Sequence, residues 1–517
     1  MARTRSGAAA GSSKAKGTTA AVPAPVLRWA PVAVAFACVL VVYLVTWRGF
    51  FYYATLVQAS VVCAAAAGLL AERWQESAAA AGAALVAGWL IVPPVSIALP
   101  PQSRSDLVGI AMFAVGGAVV AGLVWLAADR WGAQAVTAIV AVLVVVIVAN
   151  LWATSLAVAA TLPGSTGSAG QVTLVKWLES RSTPRTPWSD DQTYLEYYHR
   201  QRDGAGYYEA VRSSWMDNAN WAQPPGSVFE VRPPALFWLW QVTAWAPSGI
   251  LVGFLVFASA ATVSAAAFAR SIVKSPLAVI GAATVAAYFL FFATTTNVIE
   301  TEVWGGAAAV VAVAALALAA TRAGSWQWPF AIGVVVAVAS GSMREMCLFV
   351  PLAGTISTVW APVQRRRTQW MAWAGAWLAL AVYWGIHFFN AVRIATGGGG
   401  GLGRWLRPGL DNVVSAMEFG TQMIAATQWL PWLLVAAGLA GVAALPGWQS
   451  RGLLLVAIAV PFAFFVVFRN DAISELGVPI NLWGAVAAPV VYMCVPAAFA
   501  FVPGMRRPTL RPVGGTS

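Results

Sequence analysis

Asp203-Gly-Ala-Gly-Tyr207-Tyr208-Glu-Ala-Val-Arg212, followed after a short gap by Phe229-Glu-Val-Arg232-Pro233-Pro234-Ala-Leu-Phe-Trp238, lies in the one long polar stretch of this chain, residues 163–232. On both sides the sequence turns apolar in runs long enough to cross a hydrocarbon core. Acids, bases and aromatics are thus gathered in one place on an otherwise oily scaffold. The reading of the fold starts from that contrast.

Of the 517 residues, 60% are hydrophobic and only 10% are charged, with a mean hydropathy of +0.72. So few charges cannot cover the surface of a water-soluble protein of this size. The formal charge of +12 comes from basic residues set mostly in short segments between apolar runs. That is the pattern of cytoplasmic membrane loops, not of a nucleic-acid-binding stripe. The expected class is an all-α polytopic membrane protein whose partner is the lipid bilayer, with no nucleic acid.

Five apolar runs precede the loop, near 30–46, 50–71, 78–98, 107–127 and 133–161, and nine follow it, about fourteen crossings in all. The following nine lie near 249–269, 277–294, 303–321, 327–342, 347–362, 369–390, 429–446, 452–468 and 483–503. Segment 235–246 is read as a half-buried or re-entrant helix. Counting it as a crossing would put Arg365-Arg366-Arg367 and Arg506-Arg507 outside, against the charge bias that sets orientation. Loop 163–232, the turn at 297–302, Met343-Arg344-Glu345 and the stretches 390–428 and 469–481 then share the outer face. Ionisable groups at membrane helix ends are costly unless paired or used, so this sharing points to a site.

The domain reading is a basic, disordered cytoplasmic tail over 1–28, without the cleavage pattern of a signal peptide, and an added four-helix module over 29–130. A transmembrane core follows over 131–505, with a cytoplasmic tail over 506–517. Cys38, Cys63, Cys347 and Cys494 fall in or at the ends of apolar runs, which favours neutral packing over disulfides or metal binding. The glycine run 397–401 lacks the Lys-Ser/Thr that a phosphate loop needs and reads as a linker or lid.

The segment 203–240 resembles the first outer loop of GT-C glycosyltransferases, such as the lipid A aminoarabinose transferases and protein O-mannosyltransferases. There an acidic residue follows the first core helix, and a basic-Pro-Pro-hydrophobic segment leads into the next. Glu300-Thr-Glu302-Val-Trp304 resembles the second acidic motif of that superfamily, and Arg344-Glu345 a recurring Arg-Glu pair of bacterial members. The resemblance covers about residues 133–390; four extra spans before it depart from the family pattern.

What the resemblance implies is a plasma-membrane, inverting glycosyltransferase of GT-C-like fold. It would take a sugar from a polyprenyl-phosphate donor and pass it to a glycan, lipid or protein acceptor outside the membrane, in cell-wall biogenesis. A carboxylate is ionised at neutral pH and suits the base for an acceptor hydroxyl. Asp203 takes that role on this reading, against the alternative that it only caps a helix over 205–212. Asp190 and Asp191 are the competing acidic pair, which a Ser-Asp-Asp helix start also explains.

Arg232 and Arg344 are the expected donor-phosphate ligands, since guanidinium binds phosphate oxygens bidentately. For Arg344 the alternative is an ion pair with Glu345 or Glu302. Arg393, Arg404, Arg407 and Arg469 are weaker candidates of the same kind. Tyr207, Tyr208, Glu300, Glu302 and Glu345 are assigned to acceptor or sugar, and Trp215, Trp221 and Trp238 are placed to stack on a sugar. No cofactor is required, and a divalent cation is left open. The rival class is a transporter or lipid flippase, which predicts matched internal repeats and mid-span charges; neither is evident.

Overall fold

The computed structural model describes residues 174–501, apart from 245, 274–284, 286–287, 290–291, 293–295, 323–325, 398–405, 407, 419–429 and 469–481. The tails, the 29–130 module, the span 133–161, the loop's first residues 163–173, Cys38, Cys63, Arg404, Arg407 and Arg469 lie outside the described residues. So does nearly all of the span 277–294.

The described part is helical, with no strand beyond one isolated backbone bridge between Leu406 and Phe468. Loop residues form α1 (Leu174–Glu179), α2 (Asp190–Arg202), α3 (Tyr207–Asp217) and α4 (Ala235–Thr243). The apolar runs form α5 (Ser248–Ile272), α6 (Thr301–Thr321), α7 (Gln327–Met343), α8 (Phe349–Ser357) and α9 (Val363–Ile394). After α10 (Asp411–Glu418) come α11 (Leu430–Ala443), α12 (Trp448–Val467) and α13 (Gly484–Cys494). Among the described residues, five helices are long and apolar enough to cross a membrane: α5, α6, α9, α12, and α13 with its 3-10 extension to Phe501.

Helix α6 is the hub. Its sequence is almost entirely Ala, Val, Gly and Leu, and small side chains let neighbouring backbones come close where lipid supplies no hydrophobic drive. It packs against α5, α7, α12 and α13 and is buried nearly throughout. A Cβ on Gly306 would stand 2.0 Å from the Ala485 carbonyl oxygen, so only glycine admits α13 there. Helix α9 is the opposite case: 32 residues long, it leaves Leu378, Val382, Ile386 and Phe389 exposed along its length.

Two ends of the bundle can be told apart by their contacts. At one, Arg365 donates to the Arg322 carbonyl over 2.9 Å, and Gln449 to the Gln369 side chain over 2.8 Å. At the other, the loop is clasped by α9. Tyr208 meets Nδ1 of His387 at 3.1 Å, the Ala235 amide donates to the Tyr383 hydroxyl at 3.1 Å, and the Thr396 amide to the Pro225 carbonyl at 2.9 Å. The loop, the turn before α6 and the Arg344 turn all lie at this second end, while the arginines Arg322 and Arg365 lie at the first.

The loop is a folded layer. Tyr194, Tyr197 and Tyr207 from α2 and α3 surround Phe237 of α4 with ring centroids 5.3–6.3 Å apart. Edge-on and tilted contacts of this kind add to area burial. Through Trp240, 5.8 Å from Trp304, the aromatic layer continues into α6. The segment 235–246 forms nine residues of helix, too short to span a bilayer alone.

Candidate functional site

Charged groups from four separate stretches of sequence meet where the loop lands on the bundle. Ser189 starts α2 with a capping box shared with Gln192, and this fixes Asp190 and Asp191 in the first turn. Asp191 accepts a hydrogen bond from the Thr296 hydroxyl, in the 3-10 turn Thr296–Ile299 that leads into α6. Glu300, the residue before α6, is 2% exposed. Burial, followed by the charges of Asp191 and Glu302, pushes the Glu300 carboxyl well above its ordinary range.

Two residues on, in the first turn of α6, Glu302 accepts from the Thr301 hydroxyl at 2.9 Å and forms a buried ion pair with Arg344 at 2.8 Å. Arg344 ends α7 in extended backbone, φ −151° and ψ 133°, a break that turns its side chain toward α6. Gly305 permits the approach, because a Cβ there would stand 2.6 Å from Sγ of Cys347. The same guanidinium reaches the half-exposed Glu345 at 3.1 Å, and its buried Nε has no hydrogen-bond partner among the described residues.

Arg232 completes the group. Its Nε donates to the Tyr194 hydroxyl, its carbonyl accepts from Tyr207, and Pro233 and Pro234 follow directly. Its two terminal nitrogens make no hydrogen bond among the described residues, and its charge acts on Asp190 and Glu302. Asp190 is exposed by surface area, although the protein packed near it still desolvates its carboxyl. The surrounding protein raises its carboxyl above the ordinary range, Arg232 opposes this, and Asp191 and Glu302 add to it.

Asp203 stands elsewhere. It closes α2 as its C-cap, and the cap of α3 is Gly206, so the anticipated role of Asp203 as start of the next helix is not what forms. Its exposed carboxylate is held by Arg181 in a two-pronged pair with both contacts at 2.8 Å. That hydrogen bond keeps its carboxyl below the ordinary range. Asp190 and Asp191, the competing acidic pair, do start a helix, and the charge of Arg232 acts on Asp190 there.

The remaining candidates divide. Tyr208 bridges to His387 as a half-buried contact, and Tyr207 is buried in the aromatic layer. Trp215 and Trp221 stack on each other at 4.1 Å, and the Trp215 indole donates to Tyr197, so this pair is occupied with itself. Trp238 is 46% exposed beside Tyr383. Arg393 lies over the Phe389 ring at 4.1 Å. Cys347 and Cys494 are buried free thiols. Thr296 and Tyr194 were missed in sequence; their signal was only proximity to acidic residues. Among the described residues, no three His, Cys, Asp or Glu side chains are grouped to hold a metal ion. No family model matches the chain, and neither a curated protein nor a solved structure matches it.

Proposed function

We propose that the protein is a membrane glycosyltransferase that transfers a sugar from a polyprenyl-phosphate donor to a hydroxyl group on an envelope glycan, lipid or protein outside the plasma membrane. The observation that carries this reading is that the charge of Arg232, before the short α4, acts on Asp190 in the first turn of α2, beside the Glu302–Arg344 pair at the start of the membrane-length α6. The Asp190 side chain has no ion pair or hydrogen bond among the described residues, and Arg232, held through its Nε by Tyr194, leaves its two terminal nitrogens without a hydrogen bond there, within electrostatic reach of that carboxylate. Asp190 accepts the acceptor hydroxyl proton while that oxygen bonds to the anomeric carbon. The bond from that carbon to the phosphate oxygen breaks with its electron pair, and polyprenyl phosphate leaves. Arg232 holds the phosphate through its two terminal nitrogens. Arg344 is paired with Glu302 and supports the site from beneath, with Glu345 at the rim beside it.

This assignment moves the base from Asp203 to Asp190. A base must reach the proton it takes, and Asp203 is spent on Arg181 at the loop's outer surface. The reading is tested by analysing lipid-linked sugars and envelope glycans in a strain lacking the gene. One polyprenyl-phosphate sugar should accumulate while one glycosidic linkage disappears, and both should reverse on complementation. Unchanged lipid-linked sugars and unchanged linkages would refute it.

A further inference from the structure

Arg232 and Arg344 each stand just outside a helix end. Arg232 is joined to the first residue of α4, Ala235, through Pro233 and Pro234, whose rings fix φ. Arg344 follows directly on the last turn of α7, two residues after Ser342. Helix ends carry backbone groups that have no partner inside the helix. At the start of α4 such a group is an N–H; in the last turn of α7 it is a carbonyl.

One side chain serves both. The half-buried Tyr383 of α9 accepts from the Ala235 amide at 3.1 Å and donates its own proton to the Ser342 carbonyl at 2.8 Å. A hydroxyl has one proton to give and lone pairs to receive with, so a single oxygen can hold an amide and a carbonyl at once. The next residue, Trp384, adds a second tie to the same turn of α7, its indole donating to the Gly341 carbonyl at 3.1 Å.

We propose that Tyr383 is a positioning residue whose hydroxyl sets where Arg232 stands relative to the Glu302–Arg344 pair, and so how the site grips the phosphate of a lipid-linked donor. The connection is continuous. It runs from Arg232 through Pro233 and Pro234 to the Ala235 amide, across the phenol oxygen, and from the Ser342 carbonyl through Met343 to Arg344. Tyr194 fixes Nε of Arg232, so a shift of the Arg232 backbone changes the angle at which its terminal nitrogens meet a phosphate. Bidentate binding of phosphate depends on that angle. Without the hydroxyl, the Ala235 amide and the Ser342 carbonyl lose their shared partner, and the lead to Arg232 is released from α7.

The phosphate role rests on the glycosyltransferase reading; the bridge through Tyr383 does not. The full chain in lipid nanodiscs is compared with Tyr383→Phe, which keeps the ring and removes only the hydroxyl, and with Thr355→Val. The second variant removes a different hydrogen bond of α9, made by the Trp377 indole to Thr355 at 2.8 Å and six residues earlier in the helix. It separates a general loosening of α9 from an effect on the site. Hydrogen exchange gives an arm without substrate. Pro233 and Pro234 have no amide hydrogen, so Ala235 is the first exchanging position after Arg232. That amide should be protected in wild type and Thr355→Val, and should exchange about tenfold or more faster in Tyr383→Phe.

The second arm measures binding of polyprenyl phosphate against polyprenol of the same chain length. Wild type should prefer the phosphate. Tyr383→Phe should lose on the order of tenfold of that preference with polyprenol binding unchanged, and Thr355→Val should keep it. If Tyr383→Phe cannot be purified, Tyr383→Gln takes its place, since its shorter side chain cannot reach the position of the phenol oxygen; the same losses are expected of it. Free exchange at Ala235 in wild type overturns the bridge. A phosphate preference unchanged by loss of the Tyr383 hydroxyl, or an equal loss in Thr355→Val, overturns the positioning role. If wild type binds polyprenyl phosphate no better than polyprenol, the glycosyltransferase reading and the phosphate role fall together, and the exchange arm alone decides the bridge.

Discussion

Helix α2 carries charge at both ends, and the ends are built for different work. At its start Asp190 and Asp191 face buried Glu300 and Glu302, Tyr194 and Arg232, in a setting that shifts a carboxyl upward. At its finish Arg200 bonds Glu196 and Asp217 at 3.1 and 2.7 Å, while Asp203 meets Arg181 in the open. The acids are chemically alike. What separates them is the charge around them: Asp190 stands among Arg232, Asp191 and Glu302 with no ion pair among the described residues, whereas Asp203 already has a cation spent on it. Perturbed groups without a committed partner mark a functional site, whereas satisfied pairs mark a surface.

The sharpest way to break the comparison is at the deepest pair. Glu302 and Arg344 have side chains only 3% and 2% exposed. Removing either leaves a buried charge alone, at a cost of about 3–5 kcal/mol. Glu302→Ala and Arg344→Ala should each lower the thermal midpoint strongly in detergent. The double mutant should be less unstable than the sum of the singles, because it strands no charge. Additive losses would show that the two side chains do not depend on one another.

Next in size is the contrast between the two ends of α2 in catalysis. Asp190→Asn keeps the side chain's size and removes its basicity, so turnover should fall on the order of 100-fold or more with expression unchanged. Asp203→Asn should cost less than about threefold, since only a surface pair is weakened. The reverse order, with Asp203→Asn inactive and Asp190→Asn active, would return the base to the outer end of the helix.

Much of this architecture was legible beforehand, for a physical reason. Apolar runs of spanning length leave few alternatives, and α5, α6, α7, α9, α11, α12 and α13 all fall on anticipated spans. The nine-residue α4 sits where charge bias had argued against a crossing. The motif residues Arg232, Glu302 and Arg344 stand out in the sequence because cations and acids at membrane helix ends need a reason to be there. Which of the loop's aspartates comes under the charge of Arg232 was not legible. It depends on α2 running outward from the turn before α6, so that thirteen residues separate Asp190, near the charges of Arg232 and Glu302, from Asp203 on Arg181. Spacing along the sequence between an acid and the Arg-Pro-Pro segment contains no trace of that reversal. Nor could composition show that Trp215 and Trp221 would stack on each other.

The smallest effect completes the comparison from the other side. Arg181 and Asp203 have side chains 48% and 59% exposed. Water already solvates both ions and salt screens them, so exposed pairs of this kind contribute under about 1 kcal/mol. In a double-mutant cycle with Arg181→Ala and Asp203→Ala, the coupling should be small and should fade as ionic strength rises. The folded pKa of Asp203 lies below its ordinary value, so whatever it adds is present at neutral pH and is lost only as pH falls through the acid range. A coupling well above 1 kcal/mol, or one insensitive to salt, would mean that this end of α2 is covered by something that excludes water. The contrast between the two ends would then have to be drawn again.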